Sequence, residues 1–323
     1  MDEVIAVDLG GTNVRAARVD ASGKILARDR TPTLAAEGMS AVVGRIAEVV
    51  ARVTSPAVKA VGIGTPGVPD PHTGRMRLPA VNIPDSADFP LAPEIQRLSG
   101  LPAFADNDGN LAALGEHWLG AGQNEPLLVI FTLGTGIGGG IVQHERVYHG
   151  NHNLGTEFGH MSIDYDGRQC GCGGRGCVER YASASALGRD AREFLLSRAP
   201  AAAESALWKL CGGRENVDKI DARMVCDAAR AGDEIALYLV ERLSVWLAAG
   251  IGATINALNP SCVVIGGGMS ASSDLILPRV ERELNRGRAF GPIWQDCKLK
   301  AGALGDDAGL LGAARLALQK MKG

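Results

Sequence analysis

A strand-like run, a glycine turn and further short strands occur twice in this chain, which constrains it to two sheet-based halves. In the first copy, Val4 to Val7 leads into Asp8-Leu9-Gly10-Gly11-Thr12-Asn13. Val14 to Val19 and Lys24 to Ala27 follow, joined by a hairpin turn at Asp20-Ala21-Ser22-Gly23. In the second copy, Leu127 to Leu133 leads into a turn from Gly134 to Gly140. Gly140 to Gln143 and Arg146 to Tyr148 complete that meander. Between the copies, Ala41 to Val53 carries helical apolar spacing, and Ala57 to Ile63 reads as a strand ending at Gly64-Thr65-Pro66-Gly67. A short strand at Leu101 to Ala105 precedes Asp106-Asn107-Asp108 and a helix to about Trp118. Residues 183–256 read as mostly helical, with a long helix from Glu234 to Ala257. A buried-type strand, Ser261 to Ile265, enters Gly266-Gly267-Gly268, and a last helix spans about Asp307 to Met321. These elements predict an α/β chain with an N-terminal domain of residues 1–120 and a C-terminal domain after it. The repetition suggests duplicated structure, with a ligand in a cleft between the halves.

Glycine is the compositional outlier. Its 43 residues in 323 are about twice the usual share of ~7%, and they cluster in short loops. That pattern suits main chain lying close to ligands. A net charge of −3 implies no basic surface, which argues against nucleic-acid or membrane partners. The start runs straight into a strand without a leader pattern, and no apolar run stands out as a membrane span of roughly 20 residues. The expected location is cytoplasmic, where thiols stay reduced.

Each glycine turn has two readings. Asp8, Gly10, Gly11, Thr12 and Asn13 could present N–H groups and a magnesium-binding acid to phosphates, or could form a hairpin turn with a solvated acid. The turn at Gly134, Thr135 and Gly136 contains a formal G-x-G-x-x-G, but strands follow it where a dinucleotide fold requires a helix. It therefore reads as a phosphate-wrapping strand turn. No P-loop motif occurs in the chain. Gly267 and Gly268 could pass a flat nucleoside or simply make a tight strand-to-helix connection.

His160, Cys170, Cys172 and Cys177 place four zinc-type ligands within 18 positions. Cys₃His is a standard closed set, and the interspersed glycines permit the tight loop, so the metal reads as structural. If one ring nitrogen of His160 binds zinc, the other can meet a hydroxyl. Asp108, judged from its position alone, reads as a helix N-cap.

In chain order the motifs are DLGGTN, TPG, ND, LGTGIGG, E-x-G-H, CGC-G-x-x-G-C and IGGG. This order resembles the ROK family of repressors and sugar kinases over nearly the whole length. The segment Cys177-Val178-Glu179-Arg180-Tyr181-Ala182-Ser183 looks most like the glucokinase branch, although Val178 stands where an aromatic residue or Leu is usual. The segment Asn82-Ile83-Pro84-Asp85-Ser86 lacks the Trp common there. The resemblance implies an actin/hexokinase-like (ribonuclease H-like) duplicated two-domain fold with an interdomain cleft. It divides the chain at 1–120 and 121–304, with a helix at about 305–321 packing back on the first domain.

The implied activity is transfer of the γ-phosphoryl group of ATP to the 6-hydroxyl of glucose, with Mg2+ and a structural Zn2+. Asp108 becomes the catalytic base. Gly67, Asn82, Asn107, Glu157, His160 and Glu179 become sugar ligands, and the three glycine turns hold the nucleotide. N-acetylglucosamine, N-acetylmannosamine, mannose or fructose are alternative substrates, and a non-catalytic sugar sensor is the alternative role. A repressor of the family would need a DNA-binding region before the first strand, and the sequence offers no room for one. The resemblance also implies a homo-oligomer, a dimer or tetramer.

Overall fold

A computed structural model describes residues 2–197 and 204–322. The described chain divides into two compact units. The first takes the residues up to Ile130, Gly140–Thr156 and those from Asp306 on, and the second takes Phe131–Gly139 and Glu157–Gly305. Residues 121–130 and 140–156 thus group with the first unit, beyond the division expected at residue 120.

The first sheet contains β1 (Glu3–Leu9), β2 (Asn13–Asp20), β3 (Ile25–Pro32), β4 (Val58–Thr65) and, after the small hairpin of β5 (Val68–Pro69) and β6 (Met76–Leu78), β7 (Ala103–Asn107). Its order is β3-β2-β1-β4-β7. The first three strands form an antiparallel meander, and β4 and β7 add in parallel. The second sheet contains β8 (Leu127–Leu133), β9 (Ile137–Gln143), β10 (Arg146–Val147), β11 (Cys262–Gly266) and β12 (Lys298–Ala301), in the order β10-β9-β8-β11-β12. Both sheets therefore run third, second, first, fourth, fifth, which is the duplication anticipated from the two meanders.

In the first unit, β1 is apolar on both faces. Ile5, Val7 and Leu9 face a core built with Val42, Ile46 and Val49 of α1 (Met39–Val53) and with Leu91 and Ile95 of α2 (Leu91–Ser99). The apolar positions of α1 recur at helical spacing, so one stripe is buried and the other face is left to Arg45, Glu48 and Arg52. The opposite face carries α3 (Asp108–Leu119) and the final helix, α11. α11 (Ala308–Lys320) comes close enough to touch main chain with main chain. A Cβ on Gly62 of β4 would lie 1.9 Å from the Ala313 carbonyl oxygen, and one on Gly312 would lie 1.8 Å from that of Leu111.

The second unit carries α4 (Glu179–Ala182), α5 (Ala184–Ser197), α6 (Ala206–Cys211), α7 (Ala222–Arg230), α8 (Glu234–Leu258), α9 (Ser273–Glu283) and α10 (Gly291–Trp294). Residues 198–203 of the expected helical stretch lie outside the described residues. One correction concerns α8, which is long and apolar enough to cross a membrane by length and composition. Two charged residues, Glu241 and Arg242, hide this when the sequence is scanned for an unbroken run. Just over half of its apolar window, 56%, is buried within the protein. Gly250 packs on Val178, and Gly252 packs on the main chain at Arg288, as in the core helix of a folded unit.

A second correction concerns β7, which extends through Asn107, so Asp106 and Asn107 belong to the strand and α3 starts at Asp108 without a loop. Alanine is normally the better helix former than glycine by about 1 kcal/mol. At Gly312 the contact with Leu111 reverses that preference, and Gly312→Ala is expected to destabilise the chain by about 1–3 kcal/mol. A denaturation midpoint equal to or above that of the parent would contradict the packing described.

Candidate active site

At the end of β7 the strand turns directly into α3, and three polar residues divide the work. Asn107 is the helix cap: its Oδ1 accepts from the N–H groups of Gly109 at 2.9 Å and Asn110 at 3.3 Å. Its Nδ2 donates to the Gly67 carbonyl at 2.9 Å. Asp108 is therefore the first helical residue and not the cap. Its Oδ1 accepts from Gly109 N–H at 2.8 Å, where the helix N-terminus favours a negative charge. Gly67 has φ of 76°, and a side chain there would meet the Leu78 and Pro79 carbonyl oxygens at 2.7 Å. The structure thus brings Gly67, Asn107 and Asp108 together. Asn82 is exposed on the loop that follows β6, a loop closed from within by buried Ser86, which donates to the Ile83 carbonyl at 2.8 Å.

Asp106, which the sequence reading left without a role, is buried at 2% exposure. One of its oxygens accepts from Asn107 N–H at 2.8 Å and Asn110 Nδ2 at 2.9 Å, and the other accepts from His149 Nε2 at 2.7 Å. The acid was visible in the sequence, but nothing in its local pattern pairs it with a histidine 43 positions away.

The first glycine turn joins β1 to β2. Gly10 N–H donates to the Asn13 carbonyl at 3.0 Å, and Thr33 Oγ1 donates to the Gly10 carbonyl at 2.7 Å. Gly11 and Thr12 are exposed, and no neighbour crowds Gly11. Asp8 lies directly opposite Arg15 in the ladder. Arg15 binds one Asp8 oxygen through Nε at 3.1 Å and through Nη2, and the same Nη2 reaches the Asp306 carbonyl at 2.8 Å. A hairpin register centred on the glycine turn would have revealed this pair from sequence. Among the described residues, the other Asp8 oxygen takes no hydrogen bond, so it fits an outer ligand of a magnesium ion.

In the second unit, Glu157 and His160 are exposed on either side of buried Phe158 and Gly159, and the Phe158 ring stacks on Phe131 at 5.1 Å. A Cβ on Gly159 would lie 2.1 Å from the Ile137 carbonyl oxygen, so this segment rests against the second glycine turn. Glu179 meets the same turn, its Oε2 accepting from Ile137 N–H at 3.0 Å. A side chain at Gly136 would strike that carboxylate at 2.3 Å. Glu179 is therefore held at this turn beside Gly136, and Glu157 stands two residues before the Gly159 contact.

The ligand atoms of His160, Cys170, Cys172 and Cys177 all lie within 4.8 Å of one another. His160 Nδ1 is 3.7 Å from Cys170 Sγ, and Cys172 Sγ is 3.7 Å from Cys177 Sγ. A tetrahedral zinc with Zn–S of about 2.3 Å has S···S edges of about 3.8 Å, so these residues fit the ion. Burial, with the neighbouring Cys170 and Cys172, pushes the Cys177 thiol up to about 12. The Gly174 N–H holds Cys172 below the usual thiol range. Because the ligands bind as thiolates, loading the site must release protons.

A cavity of about 800 Å3 opens beside the second and third glycine turns, within the usual range of ligand pockets. Gly134, Thr135 and Gly268 line it. Gly267, with φ of 78°, lies so close to Leu133 that its Cβ would be 2.6 Å from that carbonyl oxygen, which draws the two turns together. The remaining wall was not anticipated. It comes from the start of α5 (Ala184, Ser185, Gly188), from Arg192 and from α7 with Asp221, Arg223, Cys226 and Arg230. Arg230 is fixed by Asp274 at 2.8 Å and Asp227 at 3.1 Å, with Asp274 raising its pKa most.

These arrangements place an acid at a helix start in the first unit and, within the second, glycine turns beside a cavity and a zinc-type cluster. Residues 4–320 match the ROK family, and the chain belongs to it. It is 37% identical to a glucokinase of Thermotoga maritima, aligned over 99% of each chain. It is also 37% identical to a glucokinase of Streptomyces coelicolor over 98% of each. The crystal structure of a ROK family glucokinase from Streptomyces griseus in complex with glucose and AMPPNP superposes with a TM-score of 0.85 at 36% identity, covering 98% of this chain and 99% of that one. The fold is accordingly the actin/hexokinase-like two-domain α/β fold. Replacing one sulfur ligand tests the cluster: Cys172→Ser is expected to lose tightly bound zinc when metal content is measured. Stoichiometric zinc in that variant would contradict the four-ligand site.

Proposed function

We propose that this protein is a glucokinase, transferring the γ-phosphoryl group of ATP to the 6-hydroxyl of glucose. The observation that carries this reading is the near-full-length similarity to a kinase that holds both glucose and AMPPNP, an ATP analogue. The glucokinases of Thermotoga maritima and Streptomyces coelicolor support it at 37% identity.

Asp108 acts as the general base in this proposal. Its carboxylate accepts the proton of the 6-hydroxyl as that oxygen attacks the γ-phosphorus, and ADP leaves. Such a base contributes roughly 10²–10⁴-fold. Phosphoryl transfer asks mainly for positioning and charge neutralisation, and the proposed residues supply both. Gly67, Asn82 and Asn107 bind sugar hydroxyls. Asn107 has one Nδ2 hydrogen to offer beyond the bond to Gly67. Glu157, Glu179 and the outward nitrogen of His160 are sugar ligands as well. The role of Glu179 is double, because one of its oxygens also holds the Ile137 N–H that shapes the second glycine turn.

Gly10, Gly11, Thr12 and Asn13, and Gly134, Thr135 and Gly136, offer N–H and hydroxyl groups to phosphates. Gly267 and Gly268 border the nucleoside. Asp8 is the residue that would hold magnesium, which when bound neutralises phosphate charge. Zinc in the cysteine cluster would be structural, orienting His160 and the chain on either side of it.

Asp108→Asn keeps size and polarity but removes the base. The expected result is a loss of 10²–10⁴ in kcat with glucose affinity retained. Near-parental turnover would overturn the assignment of the base. In the same ADP-release assay, glucose is expected to exceed mannose, fructose, N-acetylglucosamine and N-acetylmannosamine in kcat/KM. A different leading sugar would change the substrate while leaving the base untouched.

A further inference from the structure

We infer that His149 is a positioning residue for phosphoryl transfer, acting through the buried Asp106 carboxylate to hold Asn107 and Asp108 in register. The inference rests on the reading of Asp108 as the base and goes beyond it by naming what aims that base.

The geometry is a closed circuit within the first unit. His149 Nε2 donates to one Asp106 oxygen at 2.7 Å, while the other takes Asn107 N–H at 2.8 Å and Asn110 Nδ2 at 2.9 Å. Asn110 is itself buried, and its Oδ1 lies 3.3 Å from Thr156 Oγ1, whose shorter bond, at 2.6 Å, goes to the Gly155 carbonyl. His149 and Thr156 are the two ends of one loop, closed by the Gly155 N–H donating to the His149 carbonyl at 2.9 Å. One end is thus fastened to the end of β7 and the other to the first turn of α3. Thr156 has φ of 71°, a strained conformation for a β-branched residue, which persists only where the surroundings determine it. The residue after this fastened loop is Glu157, a proposed sugar ligand.

A carboxylate this buried is costly unless each oxygen is satisfied. Asp106 meets that need with donors from the strand end, the helix and the loop, so removing any one lets the others shift. The N–H it holds is that of the peptide joining Asp106 to Asn107, one residue before the base. A displacement of about 1 Å in a catalytic group can cost on the order of 10²-fold. A neutral donor suffices for the role, which predicts rescue by an amide.

The test is steady-state kinetics on the full chain. His149→Ala is expected to lower kcat by roughly ten- to a hundredfold, with KM for ATP unchanged. His149→Gln, which keeps a donor, is expected to recover most of that loss. In the Asp108→Asn background, His149→Ala is expected to cause no further fall, because its effect passes through the base. Parental kcat in folded His149→Ala, failure of His149→Gln to recover activity, or a full additive loss in the double variant would each overturn the inference. Should His149→Ala not fold, His149→Gln and His149→Glu carry the test: an active Gln variant and an impaired Glu variant support it, and equal kcat overturns it. An active Asp108→Asn single variant would instead remove the underlying base assignment, a separate and recognisable outcome.

Discussion

Main chain meeting main chain without an intervening side chain is the constraint on which the rest of this structure depends. α11 reaches the first sheet and α3 only because Gly62, Gly115 and Gly312 leave no Cβ in the gap. Gly140 brings β9 against the Gly109 carbonyl at the start of α3, next to Asp108. In the second unit, Gly159 and Gly267 do the same against Ile137 and Leu133. Packing at this distance leaves little slack, so groups mounted on these elements are held by the backbone itself. The excess of glycine is therefore a property of the scaffold as much as of ligand contact.

Much of the scaffold was legible in the sequence because it is local or periodic. The meanders, α1, α8 and α11 follow from alternation and helical spacing; the helix ends differ by one or two residues, whereas β3 runs on past the expected end at Ala27 to Pro32. Elements with weak periodicity were not legible. α2 is a short polar-faced helix between prolines, and β12 alternates lysine with apolar residues at a sheet edge, where no residue of it is fully buried. The extent of β7 was missed for a physical reason. Asp106 and Asn107 have poor strand propensity, yet β4 supplies a parallel partner that carries the strand to Asn107.

The candidate site divides in the same way. Residues in compact motifs, such as the four metal ligands and the turn at Gly134, could be picked out one by one. What they bind to was not read. Asn107, read as a sugar ligand, also caps α3, and Asp8, read as a metal ligand, also faces Arg15. The α7 wall of the nucleotide-sized cavity contains no motif at all, and is assembled only when the chain folds. The first two are local, and a cap pattern and a hairpin register would have shown them; the cavity wall joins side chains far apart in sequence, about which spacing carries no information. The chemistry proposed for the chain is correspondingly simple, since a base at a helix start and turns rich in N–H groups need only be held still.

The most direct measurement is identification of the product by phosphorus NMR after incubating the protein with ATP, magnesium and glucose. The account predicts one phosphomonoester, on the C6 oxygen of glucose, formed in step with ADP. A phosphate on another hydroxyl, or ATP consumed to inorganic phosphate with no phosphosugar formed, would contradict it.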